Sequence, residues 1–222
     1  MEDFKNLFKL SSIYDTIFIK IETEVNLDTI KNVDLWVKFM EETYSKDVKL
    51  LDVDEKKYFY KKSKFYPEFS EITSISWGIV KVLDNGDVVK EIRKVSGNNE
   101  KEKLEYFFKI LELYKQKKIN AYVCGFNILN YEIPFLVKRG LKYGLDTPKI
   151  IKTNLSAKPW EYMITDINNI SKVTGIRYTN LEIFADFLNV DYVKSDDTTN
   201  PDEYTSKSVN TIIDLYLKLR KM

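Results

Sequence analysis

The chain has 222 residues, 44% hydrophobic and 31% charged, and its Lys+Arg count of 35 against Asp+Glu 34 leaves a net charge of +1. That length suits one α/β domain with one sizeable core, and the near-neutral balance supplies no global field for a polyanion, so nucleic-acid binding would need a local patch. A single cysteine, Cys124, excludes an internal disulfide framework and fits a reducing compartment, and the lack of histidine leaves carboxylates, Tyr, Lys and Ser for chemistry.

The opening MEDFKNLFKL lacks the apolar stretch of a signal peptide, and no run of membrane-spanning length occurs anywhere. The expectation is a soluble chain, cytoplasmic or in a virion, not exported through a signal peptide and without a membrane partner. TIFIKIET, from Thr16 to Thr23, reads as the first strand. Side chains alternate along a strand, so Lys20, Glu22 and Glu24 share one face. Residues 27–64 are charged, aromatic and only weakly helical in pattern, and read as an insertion or an added partner surface.

EITSISWGIVKV and DVVKEIRKV flank Asp84-Asn85-Gly86, which predicts a hairpin with a type I′ turn. Leu104, Phe107, Phe108, Leu111 and Tyr114 then recur at helical spacing, and NAYVCGFN reads as a short strand whose Cys124 is a buried thiol. YEIPFLVKRGLKYG predicts a helix with Pro134 in its first turn and Gly144 at its end. NLEIFADFLNV is a short amphipathic helix, DDTTNPDEY a polar loop, and TSKSVNTIIDLYLKLRKM a last helix with Val209, Ile212, Ile213 and Tyr216 inward. Strands followed by interleaved helices predict an α/β fold with a mixed sheet.

Four stretches in this order carry a resemblance. FIKIET resembles a strand motif usually written F-D-I-E-T, and FYPEFSEITSISWG the segment leading into a second strand. VCGFNILNYEIPFLVKRGLKYG resembles a second motif, G-H-N-x-x-x-F-D-I-P-F-L, and KPWEYMITDI with YTSKSVNTIIDLYLKL a last third carrying Y-x-x-x-D-V. Together they resemble the DEDD superfamily of 3′–5′ exonucleases, in particular the tyrosine-type exonuclease domain of family-B DNA polymerases and its stand-alone bacterial and phage relatives. The match covers about residues 15–220 apart from 27–64. It implies one RNase H-like exonuclease-type domain over 1–222, a mixed central sheet flanked by helices, with the insertion at about 27–64.

In that superfamily four carboxylates hold two Mg²⁺ or Mn²⁺ ions that clamp the attacking water and the leaving oxygen of a phosphodiester. The resemblance places Lys20 at the first acid, Glu22 at the second, Glu132 at the third and Ser208 at the fourth. Tyr204, four residues before Ser208, falls where the tyrosine orients the attacking water. A cation near two remaining acids does electrostatically what an ion would do. Opposite charges ~4 Å apart at an effective dielectric of ~20 attract by roughly 4 kcal/mol before desolvation. Lys20 is therefore expected to neutralise Glu22 and Glu132 without metal.

Other readings stay open beside this one. Glu22 with Glu24 is an alternative acid pair, and Asp166 or Asp214 is a candidate acid recruited from another element. Asn127 and Asn130 read as turn residues, Trp77 and Trp160 as packing residues, and Lys115, Lys117 and Lys118 as a solvated helix end. The functional expectation is a catalytically degenerate exonuclease-like protein used as a structural or interaction module. Abundant Lys, Asn, Ile and Tyr suggest an AT-rich genome and hence a component of a phage virion assembly. Its partners would be other proteins of that assembly, with DNA as a further candidate and no small-molecule substrate. No cofactor is expected. The alternatives are an active metal-dependent 3′–5′ DNA exonuclease, using Mg²⁺ or Mn²⁺ on Glu22, Glu132 and a recruited acid, and a non-cleaving single-stranded nucleic-acid-binding protein.

Overall fold

The computed structural model describes residues 12–26, 30, 32–51, 53–156, 163–172, 179–194 and 200–221. Five strands form one sheet: β1 (Thr16–Val25), β2 (Ser70–Val82), β3 (Val88–Lys94), β4 (Tyr122–Gly125) and β5 (Ile164–Asp166). Their order is β3-β2-β1-β4-β5, with β1, β2 and β3 antiparallel in turn and β4 and β5 parallel to β1. This mixed sheet, flanked by helices, is the RNase H-like arrangement that the resemblance implies.

β1 is buried on both faces, so its apolar run is nearly continuous. Ile17, Ile19 and Ile21 point into one core, with Leu104, Phe107 and Leu111 of a helix at Glu100–Lys117 and with Phe135 and Leu136 of another at Glu132–Lys142. Phe18 points into the opposite core, against Val209, Ile212, Ile213 and Tyr216 of the last helix, Pro201–Lys221. Phe18 and Tyr216 meet edge to face with centroids 5.2 Å apart. In chain order the helices are α1 (Val33–Leu51), α2 (Glu55–Ser63), α3 (Glu100–Lys117), α4 (Glu132–Lys142), α5 (Lys149–Ser156), α6 (Ile167–Lys172), α7 (Leu181–Phe187) and α8 (Pro201–Lys221).

Several local expectations change. The 27–64 segment, only weakly helical in pattern, contains two well-formed helices, α1 and α2. Their apolar periodicity is faint because α1 buries only Met40, and α2 only Phe59 and Ser63. Polar and aromatic contacts hold them instead. The Trp36 indole donates to Ser63 Oγ at 2.7 Å, the Tyr44 and Tyr66 hydroxyls pair at 2.7 Å, and Phe39 packs on Tyr66 and Phe69.

The hairpin turn is not type I′, which needs positive φ at both central residues. Only Gly86 is left-handed (φ +88°), and the Leu83 carbonyl accepts from Gly86 N at 2.8 Å while Leu83 N donates to the Asp87 carbonyl. This is the three-residue loop that closes on a left-handed glycine. The polar loop before the last helix ends earlier than expected, because Pro201 fits a first helical position and the Asn200 side chain caps Asp202 N at 2.9 Å. β5, α5 and α6 carry too few periodic residues to be predicted at all.

A buried ion pair sets the position of α4. Arg139 Nε donates to Glu100 Oε1 at 2.8 Å, and its Nη2 to Glu100 Oε2. Glu100 also accepts from Ile72 N at 2.7 Å and from the Tyr143 hydroxyl at 2.8 Å, while Arg139 Nη1 donates to the Pro67 carbonyl at 3.0 Å. α3, α4 and the start of β2 are thus joined through one satisfied polar network.

On the other face, α8 lies close over Gly78 of β2. A Cβ there would sit 2.8 Å from Val209 Cγ1 and 3.1 Å from Ile213 Cδ1. Gly78→Ala should therefore destabilise the fold by about 1–3 kcal/mol through overpacking, read as a drop in the thermal unfolding midpoint.

Candidate functional site

The site lies where the second half of β1 meets the start of α4 and the first turns of α8. In the β1–β2 register Lys20 is opposite Ser76 and Glu22 opposite Ser74. Both serine hydroxyls bond Thr205 Oγ1 of α8, at 2.9 Å for Ser74 and 2.8 Å for Ser76. Cross-strand partners share a face, so Lys20 and Glu22 stand on the α8 side of the sheet. The register slips between Glu22 and Thr23, leaving Thr73 as the extra residue of a bulge. Thr23 Oγ1 donates to the Lys64 carbonyl at 2.9 Å and pairs with the Tyr131 hydroxyl at 2.6 Å, which ties β1 to the chain on either side of the site.

Lys20 Nζ donates to Glu132 Oε1 at 2.8 Å. The Glu132 side chain is fully buried and that of Lys20 is 14% exposed. The ammonium also lies 5.3 Å from the centre of the Tyr131 ring. Burial works against the lysine's charge, but Glu132, helped by Tyr204 and Tyr131, outweighs it and holds the ammonium above its usual range. Burial pushes the Glu132 carboxyl up, with the Lys20 charge pulling the other way. Among the described residues Glu132 Oε2 has no hydrogen-bond partner.

Lys20 does not serve Glu22 as well. Glu22 is ion-paired with Lys64, the residue that follows α2. The 27–64 segment therefore brings a second cation to the site. The signal for it was the KKSK run, Lys61 to Lys64, just ahead of the segment that leads into β2.

Tyr204 stands half-buried in the first turn of α8, near enough for its phenol to bear on the Lys20 charge. Ser208 lies one helical turn further on and is buried, its Oγ without a hydrogen-bond partner among the described residues.

The recruited-acid alternatives go elsewhere. Asp166 accepts from the backbone N–H groups of Asn127 (2.8 Å), Leu129 (3.2 Å) and Asn168 (3.0 Å), bracing the loop between β4 and α4. Asp214 is paired with Lys90 at 2.6 Å, and Glu24 is exposed. Asn127 is left-handed (φ 57°) and Asn130 donates to its side chain at 2.9 Å, so both are turn residues. Trp77 is half-buried with Arg93 over its ring, and Cys124 is a buried thiol pushed up by burial. Lys118 pairs with Asp15, Lys115 bonds the Ile119 carbonyl, and Lys117 is exposed. Trp160 lies outside the described residues.

The side chains present do not fit the pair of divalent ions that the resemblance implies. Mg²⁺ and Mn²⁺ need several hard oxygen ligands. Glu22 and Glu132 are each engaged by an ammonium, and among the described residues no group of three or more acidic, His or Cys side chains could hold an ion. Among the same residues no helix is long and apolar enough to cross a membrane.

No protein-family model matches the chain, and no curated protein matches it. Solved structures do, among them the RNase domain of the yeast Pop2 protein, at 14% identity and a TM-score of 0.46 over 99% of this chain and 82% of that one. No residue role is carried over from it.

Lys20→Met should leave Glu132 buried with no cation. A carboxyl whose folded pKa lies above its unfolded value takes up a proton on folding, so its penalty is absent at low pH and grows as pH rises through the folded value. Removing the lysine raises that folded value further. The expected loss is about 3 kcal/mol at pH 8 and clearly less at pH 5, with most of it recovered in Lys20→Met/Glu132→Gln. Unfolding in urea at the two pH values measures both.

Proposed function

We propose that the chain is a non-cleaving exonuclease-like module of the DEDD type, in which Lys20 takes the place of a metal ion and the fold serves as a structural or interaction component. The observation that carries this reading is the 2.8 Å contact between Lys20 Nζ and Glu132 Oε1, an internal ion pair at two motif positions where the resemblance expects metal-binding acids. A second ammonium, from Lys64, on the Glu22 carboxylate supports it. Ser208, at the position of the last acid, brings no charge, and Tyr204 is left without a metal-bound water to orient. The role within a phage assembly rests on composition alone and belongs to the same proposal.

The purified protein should leave single-stranded DNA intact in Mg²⁺ or Mn²⁺. Lys20→Asp combined with Ser208→Asp should gain Mn²⁺ affinity by calorimetry, about tenfold or more over either single change, since one missing ligand or orienting group commonly costs that much. Metal-dependent cleavage by the unmodified protein, abolished by Glu22→Gln, would overturn the proposal.

A further inference from the structure

The helices α1 and α2 are fastened to the sheet without sharing its cores. They bury Met40, Phe59 and Ser63, and neither Met40 nor Phe59 belongs to either hydrophobic core. The two helices hold each other. The Trp36 indole of α1 donates to Ser63 of α2, and the Tyr58 hydroxyl of α2 donates to Asp47 of α1 at 3.3 Å. The Lys62 ammonium lies over the rings of both Tyr44 and Tyr58, at 5.5 and 5.2 Å from their centres. Toward the sheet, α2 and the two residues after it meet the second half of β1 and the residue before α4. The Tyr60 hydroxyl donates to the Val25 carbonyl at 3.4 Å, Thr23 Oγ1 donates to the Lys64 carbonyl, and Lys64 pairs with Glu22. Phe65 meets the Tyr131 ring, which lies beside the Lys20 ammonium. These ties to β1 are polar and lie at the margin of the sheet, past the register slip.

We propose that α1, α2 and the two residues after them form a strap that opens as one unit while the sheet and both cores stay folded, and that the Lys64–Glu22 pair holds it shut at the candidate site. Contacts within the pair of helices make the strap cohesive, so it moves as a body. Sparse apolar burial in common with the sheet makes its opening easier than unfolding of the cores. Among the described residues Lys64–Glu22 is the strap's one ion pair to the sheet, and it joins the strap to a motif position of the site. Closed, the strap keeps an ammonium on Glu22 and a ring on Tyr131. Open, it uncovers both. The inference names a regulation of the site read above. Its test involves neither DNA nor metal, so it stands or falls separately from the non-cleaving reading.

The test is native-state hydrogen exchange of the full chain, read amide by amide under conditions where closing outruns exchange. Amides of α1 and α2 should share one opening equilibrium, at least ~10-fold more populated than the opening that exposes α3 and β1. Ile213 is buried in the core on the α8 side of the sheet, away from the strap. Ile213→Val should therefore speed exchange in α3 by about 2- to 10-fold through global unfolding and leave α1 and α2 unchanged. Lys64→Gln and Glu22→Gln should each speed exchange in α1 and α2 by roughly 2- to 5-fold, the scale of a partly exposed ion pair. The double variant should add nothing to either single change. Added salt should loosen the strap of the unmodified protein and have little effect on it in Lys64→Gln. If Ile213→Val speeds α1 and α2 as much as α3, the helices open only with the whole molecule and the proposal is overturned. Unrelated rates along α1 and α2 overturn it as well, since no single unit then exists. Strap exchange indifferent to both Lys64→Gln and Glu22→Gln removes the ion pair as the fastening and overturns it too.

Discussion

A carboxylate buried beyond the reach of water has to be answered by something, and in this chain the answer to Glu132 is Lys20. The two residues lie far apart in sequence, on the central strand and on the first turn of α4. Their pairing sets the depth at which α4 begins against the sheet. An acid at a helix start is favoured by the backbone dipole, so α4 tolerates Glu132 there, but the dipole alone would not compensate full burial. The α8 helix then closes over the same end of β1, with Thr205 on the β2 serines and Val209 against Gly78. A lysine in the middle of a central strand would otherwise be a folding error.

The two ion pairs of the site differ in kind. Lys20–Glu132 is shielded from water on both sides, so its attraction is little screened and loss of either partner strands a charge. Lys64–Glu22 is more open, with the lysine side chain 40% exposed, and is worth correspondingly less. The first pair belongs to the core of the fold and the second depends on α2 being in place. The far side of α4 repeats the logic with Arg139 and Glu100, so one short helix is fastened by an ion pair at each end.

Those differences explain what could be read from the chain. β1 and β4 were legible as short apolar runs and β2 and β3 as β-rich runs flanking Asn85-Gly86, and α3 because its apolar residues repeat at helical spacing. The convergence of Lys20 and Glu132 was legible through motif positions alone. Lys64 on Glu22 was not, because that contact depends on how α2 ends and on a bulge at Thr73, neither of which has a periodic signal. α1 was missed for a related reason: its anchors are Trp36, Phe39 and Tyr44, which read as scattered aromatics until their hydroxyl, indole and ring partners are in view. Arg139 carried no signal of its own within YEIPFLVKRGLKYG, and only the fold supplies the acid, Glu100, that makes its burial tolerable. The hairpin turn shows the limit from another side, since Asn85-Gly86 fits two loop geometries and the strand register chooses between them.

The sheet also has two borders with different characters. β3 closes one side with Lys90, Glu91, Arg93 and Lys94 in a seven-residue strand, and β5 closes the other with three residues. Another strand laid along β3 would have to accommodate that dense row of charges, and β5 is too short to template much of anything. Neither border invites the strand-by-strand growth that turns exposed edges into fibrils. A chain this rich in isoleucine, phenylalanine and tyrosine can therefore be held at high local concentration without runaway β-pairing along its sheet borders.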